Sequence, residues 1–187
     1  MAESGCGISL LLYGLQSPIN VGSVLRVSET FGISVDIWDE AGLFADPVKR
    51  DCIADFSCGA IDRGAFRLLG QCPEGTAETG RLIATSLAED AVLLTEFHFL
   101  AGDRVAIGNE YDGLPKTFIN AANLRLRIPM ADVWTPKPVS RHPIDPSRAP
   151  RDTDDGAPVL SAAMAAGIIG YTAFIQSCAD RLSPGHR

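Results

Sequence analysis

An α/β fold with a largely parallel sheet is what this sequence predicts, on three observations. Short apolar runs alternate with helical patterns along the chain, the signature of strands joined by crossover helices. No internal repeat interrupts that alternation. The 187 residues are 46% hydrophobic and 21% charged. A chain of this size buries roughly 70% of its unfolded surface, so a single domain over 1–187 folds without a metal or disulfide staple.

Residues 8–13 form an apolar run closed by Gly14, which reads as a buried strand. Asn20 can cap a helix reaching Phe31, with Val21, Val24, Leu25 and Ser28 on its inner side and Gly32 as its stop. Residues 34–38 form the next strand, and a weaker helix over 46–54 begins at Pro47. Short strands are expected at 66–69 and 81–85, either side of a Gly/Pro/Thr-rich loop. Residues 104–108 and 124–128 complete the strands, and the last helix covers 161–179. Residues 131–156 hold five prolines, which exclude helix and ladder alike, so they read as an inserted loop within the domain.

The 23 acids outnumber the 16 bases, for a net charge of −7, which on its face argues against nucleic acid. The distribution says otherwise. Residues 125–151 carry a net +4, leaving −11 for the rest. The bases are Arg125, Arg127, Lys137, Arg141, Arg148 and Arg151, an arginine-rich set suited to phosphate contact. A solvated surface loop is the alternative reading of the same segment. Five cysteines without a C-x-x-C pair suggest neither a disulfide framework nor a zinc site, and fit a reducing cytoplasm. The N-terminus lacks a basic region, and its apolar stretch is too short for a signal peptide. The uncharged run 157–175, APVLSAAMAAGIIGYTAFI, approaches membrane-span length. Its Ala and Gly content and the absence of a basic cluster instead predict a helix buried in the core or against another subunit.

Three blocks carry the chemistry. The first, SPINVGSVLRVSETFGI, leads from a strand into a helix, where α/β folds place ligands. The second, VAIGNEYDGLP, is a strand running into a tight turn with exposed main-chain amides. The third pairs LRLRIPM with the apolar helix beyond the loop. In this order the blocks resemble the TrmH/SpoU group of SPOUT RNA methyltransferases. The group's first motif, N-P-x-N-x-G-x-x-x-R-x-x-x-x-F-G, is matched at Pro18, Asn20, Gly22, Arg26, Phe31 and Gly32, with Ser17 in the leading position. Its second, G-N-E-x-x-G-L, is matched from Gly108 to Leu114. Its third, I-P-M then S-L-N-V-S-x-A, is matched only at its two ends, at Ile128, Pro129 and Met130, and at Ser161 and Ala163. The segment SCGA at 57–60 is similar to a small-residue stretch the group carries between motifs.

The resemblance implies a C-terminal trefoil knot, a homodimer, and S-adenosylmethionine as donor of a methyl group to an RNA ribose 2′-oxygen, in tRNA more than rRNA. It implies that Thr85, Ser86, Gly108, Asn109, Gly113, Ile128, Met130, Val159 and Leu160 hold the cofactor, with no metal. Asn20, Arg26, Glu110 and Ser161 would form the catalytic set. Arginine stays protonated at physiological pH, so Arg26 is expected to orient the hydroxyl and stabilise its anion. The third motif departs from the group: Val159 stands where the group has Asn, and Ala157 where it has Ser. Two readings follow: a 2′-O-methyltransferase whose basic loop grips RNA, or a SPOUT-fold module that binds RNA or cofactor without methylating. A small-molecule-binding α/β protein without an RNA role is the third.

Overall fold

The computed structural model describes residues 6–64, 66–73, 80–109, 111–131 and 160–182. Seven strands form one sheet in the order β3-β2-β1-β6-β4-β7-β5. They are β1 (Ser9–Tyr13), β2 (Ser34–Trp38), β3 (Phe66–Leu68), β4 (Leu82–Thr85), β5 (Val92–Leu93), β6 (Arg104–Gly108) and β7 (Leu124–Arg127). Every ladder is parallel, so the expected largely parallel sheet is wholly so. The helices are α1 (Pro18–Phe31), α2 (Pro47–Ser57), α3 (Ala60–Arg63), α4 (Lys116–Ala121) and α5 (Ala162–Leu182). The expected knot depends on residues 132–159, which lie outside the described residues.

The central strands are covered on both faces, which is why they read as unbroken apolar runs. Leu10, Leu11 and Leu12 of β1 are all buried, as are Val105, Ala106 and Ile107 of β6. Leu10 and Leu12 join the main core with residues of α1, α2 and α5. Leu11 joins a smaller cluster with Leu114 and Phe118 beneath α4. At the amino edge, Asp36 accepts two hydrogen bonds from Arg67 at 2.9 and 3.0 Å and one from Arg104 at 2.6 Å. This pairing crosses β1 and ties β6 to β2 and β3.

One cap differs from expectation. Asn20 lies inside α1, and Ser17 is the N-cap, its hydroxyl accepting from the Asn20 amide at 3.3 Å. Pro18 explains this: a first-turn proline has no N–H to satisfy and pre-sets the helical φ, so the residue before it takes the capping role. The inner face of α1 is Val21, Gly22, Val24, Leu25 and Ser28, and Gly32 ends the helix at φ +65°. Both α2 and α5 run three residues beyond the expected ends, to Ser57 and Leu182. The short α3, α4 and β5 had no sequence pattern long enough to mark them. By length and composition α5 could cross a membrane, with a mean hydropathy of 1.4. In the fold one side of it packs on α1, and the rings of Phe31 and Phe174 lie 5.7 Å apart.

Gly22 sits where α1 meets α2. A Cβ there would lie 2.6 Å from the Ile53 carbonyl oxygen and 2.8 Å from the Phe56 Cβ. Gly22→Ala therefore forces the helices apart, and overpacking of this kind costs about 1–3 kcal/mol. The expected result in urea denaturation is a lower midpoint with an unchanged slope.

At the carboxyl edge the Tyr13 hydroxyl lies 3.1 Å from the Cys72 sulfur, and its ring meets Phe118 edge-on at 5.2 Å. Burial first, then the Cys72 contact, pushes the Tyr13 phenol up to about 12. An unfolded tyrosine ionises near about pH 10. The folded state then holds a proton that the unfolded state has lost, so this contribution to stability is complete below about pH 10 and disappears as pH rises towards 12. Phenolate absorbance should show one late-titrating tyrosine, and Tyr13→Phe should remove that step.

Candidate active site

The carboxyl ends of β4, β6 and β7 open into a cavity of about 360 Å³, within the range of small-molecule sites. Thr85 ends β4 and Ser86 follows it, Gly108 ends β6 and Asn109 follows it, and Ile128 and Met130 follow β7; all six line it, as do Gly113 and Leu160. Eight of the nine residues expected at a cofactor site thus surround one space. Val159, the ninth, lies outside the described residues. Pattern reasoning missed the apolar lining of Leu87, Ile107, Leu114, Ile119, Leu126 and the α5 alanines 162 and 165, and also Tyr111 and Asp112. Leu114, Tyr111 and Asp112 stand within or beside the second motif, so that turn was the available signal.

The turn after β6 is built from Asn109. Its side-chain oxygen accepts from the Tyr111 amide at 2.8 Å and the Asp112 amide at 3.0 Å. Its backbone carbonyl accepts from the Gly113 amide at 2.9 Å, and Gly113 adopts φ +65°. The chain folds back so closely that a Cβ on Gly108 would lie 2.2 Å from the Gly113 carbonyl carbon. Glycine is thus a steric requirement at the strand end. The opposite walls are fixed by Thr85, whose hydroxyl donates to the Ala106 carbonyl at 2.9 Å, and by the Ser86 amide donating to the Leu126 carbonyl at 2.9 Å. The lining is mostly apolar, with main-chain groups, a few neutral polar side chains and the exposed Asp112 at its edges. It suits a flat or aliphatic ligand body whose polar positions meet backbone groups.

The proposed catalytic residues are not gathered there. Neither Asn20 nor Arg26 is among the described residues lining the cavity. Arg26 is exposed on α1, seven residues and two turns beyond the exposed Ile19. The Ser161 hydroxyl accepts from the Met164 amide at 3.2 Å, the bond of a helix N-cap at the start of α5. Glu110 lies outside the described residues. Of the basic set, Arg125 donates to Asp90 at 2.9 Å and to Asn120 at 3.3 Å, so its charge is already paired within the fold. Arg127 Nε is buried with no hydrogen-bond partner among the described residues. Lys137, Arg141, Arg148 and Arg151 lie outside the described residues.

Three solved structures share this architecture. One concerns the 2-OH methylation of C/U34 on tRNA; it is 25% identical, with 92% of this chain matching 97% of that one at a TM-score of 0.66. The A. aeolicus TrmH/SpoU tRNA modifying enzyme is 15% identical, covering 96% of this chain and 79% of its own at 0.70. AviRb from Streptomyces viridochromogenes, solved with AdoMet, is 21% identical, covering 95% and 60% at 0.65. The last two, below 25% identity, attest the fold alone. No curated protein matches the sequence. The family model of the SpoU rRNA Methylase family matches residues 7–134, which span both strand-end motifs and the cavity floor. By that match and by its fold, the chain belongs to the SpoU rRNA methylase family, in the TrmH/SpoU group of SPOUT RNA methyltransferases.

Proposed function

We propose that the protein methylates a ribose 2′-hydroxyl of RNA, tRNA foremost, using S-adenosylmethionine. The observation that carries this reading is the convergence of the second and third motifs on one cavity of about 360 Å³ at the carboxyl edge of the sheet. The donor set fits the cofactor: apolar walls for the adenine and methylene parts, and strand-end backbone groups for the polar ones. When bound, S-adenosylmethionine supplies an electrophilic methyl group. The protein's own residues then have to bring a 2′-oxygen into line and stabilise the charge it develops. Arg26 fits the second task as a fixed cation with a fork of donors, and Asn20 lies on the same helix one turn and a half before it. Lys137, Arg141, Arg148 and Arg151 of the basic segment supply the phosphate contacts that hold the RNA in place.

The working unit in this proposal is a homodimer. Met164, Ile168, Tyr171 and Ile175 are all exposed and recur at helical spacing along the outer side of α5. A continuous apolar stripe of this kind marks an interaction surface. Arg26 and Ile19 project from the neighbouring α1. A second copy seated on this face would place Arg26 at a composite site, which accounts for its distance from the cavity of its own chain.

Calorimetry with S-adenosylmethionine and labelled-methyl transfer to total tRNA and rRNA test the reaction. Arg26→Ala should lower transfer by about a hundredfold or more, the loss typical of a missing anion-stabilising donor, with cofactor affinity nearly unchanged. Deleting residues 134–151 should abolish RNA affinity and spare cofactor binding. Cofactor binding without transfer by the wild type would favour a binding module instead. For the dimer, Met164→Glu with Ile168→Glu should sediment as a folded monomer where the wild type sediments as a dimer; an unchanged dimer would place the interface elsewhere.

A further inference from the structure

Two walls of the cavity are joined at a distance from it. Thr85 and Ser86, at the end of β4, belong to one wall, and Ala162 and Ala165, in the first turn of α5, to another. The opposite ends of both elements meet the connection between β5 and β6. Arg81, directly before β4, donates to Asp103 at 2.8 and 2.6 Å and to the His98 carbonyl at 3.0 Å. Asp103 is buried and also accepts from the Leu100 amide at 2.8 Å. From α5, Gln176 Nε2 donates to the Phe97 carbonyl at 2.7 Å, and its Oε1 accepts from the Phe99 amide at 3.0 Å. Residues 97–103 are thus a platform bonded to β4 through Arg81 and to α5 through Gln176. His98 and Asp180 also pair at 3.5 Å, but both are more than half exposed and add little.

We propose that Gln176 is a positioning residue for the cofactor: by locking α5 onto this platform it sets how far the first turn of the helix stands from the end of β4. The role rests on the cofactor reading above. Gln176 is not among the described residues lining the cavity, so it acts through the helix. The buried residues of α5 are Ala162, Ala166, Ile169, Gly170 and Ala173. Side chains mostly this short let helices approach closely, but their low ridges interlock weakly and leave axial position to other contacts. Gln176 supplies such a contact. Its two bonds go to backbone groups two residues apart, so a slide of α5 breaks them together. A helix transmits a slide undiminished, and Ala165 stands roughly 16 Å from Gln176 at the usual helical rise. A misplacement of about 1 Å, caused far from a site, is enough to spoil its geometry.

The test is calorimetric titration with S-adenosylmethionine, at a temperature where circular dichroism shows every variant folded, alongside urea denaturation. Gln176→Met keeps the length of the side chain and removes both bonds. It should weaken S-adenosylmethionine by about fivefold, the scale of coupling carried through a packed network. Ile53→Val trims a buried residue of α2 outside the cavity lining. It should lower the urea midpoint and change affinity by less than about twofold, as independent sites do. Arg81→Lys keeps a cation for Asp103 but loses the fork that holds the platform, and should also weaken binding by about fivefold. The two links act in series, so the double variant should bind about as weakly as either single one. Unchanged affinity in Gln176→Met with a lower urea midpoint would make Gln176 a stability residue and overturn the role. An equal loss in Ile53→Val, or multiplied losses in the double variant, would overturn it too. Wild type that binds no S-adenosylmethionine would overturn the cofactor reading itself, and this role with it.

Discussion

The parallel ladder between β1 and β6, which sets Tyr13 beside Gly108, is the constraint on which the rest of the molecule depends. Because both strands run the same way, the first motif leaves β1 and the second leaves β6 at the same edge of the sheet. The β6–β4 and β4–β7 ladders carry that edge outwards, pairing Ala84 with Ala106 and Thr85 with Leu126. A parallel sheet requires long connections that return over its faces, and here those connections are the helices that bury it. At the amino edge Arg67, Asp36 and Arg104 are spent on one another.

Glycine is the second recurring requirement, and each instance has a separate steric cause. Gly22 lets α1 approach the backbone of α2, and Gly108 lets the second motif fold back on its own strand. Gly170 lets α5 settle against α1, where a Cβ would lie 2.9 Å from Ile33 and 3.2 Å from Phe31. Two of these residues belong to the motifs by which the family is recognised. They carry no reactive group. They fix backbone separations that a cavity of this shape needs.

Much of the fold was legible in the chain. Strands 34–38 and 104–108 were readable to the residue, the first from the alternation of buried Val35 and Ile37 with more exposed neighbours, the second from a buried apolar run closed by turn residues. Strand β5 was not, since two residues have no period; Val92 and Leu93 become a strand only by pairing with Leu126 and Arg127. Helix α4 has six residues, begins at a proline and has no side-chain cap, so it is held by Phe118 in the smaller core and not by local propensity. The Ser17 cap was readable in principle from Pro18, but an asparagine two residues later offered a competing acceptor.

The candidate site divides in the same way. Local order along the chain determined the motif residues, the turn after β6 and the basic character of 125–151, because each is a property of neighbours in sequence. Tertiary structure alone decided that Thr85, Gly108, Ile128 and Leu160 share one cavity, and that Arg26 stands apart from it on an outward helix. It also decided that Arg125 spends its charge on Asp90 and that Ser161 caps a helix. These are contacts between segments tens of residues apart, or choices between partners that only packing brings within reach. A pattern of residue types can name the groups able to do chemistry, but the distances between them are set by the sheet.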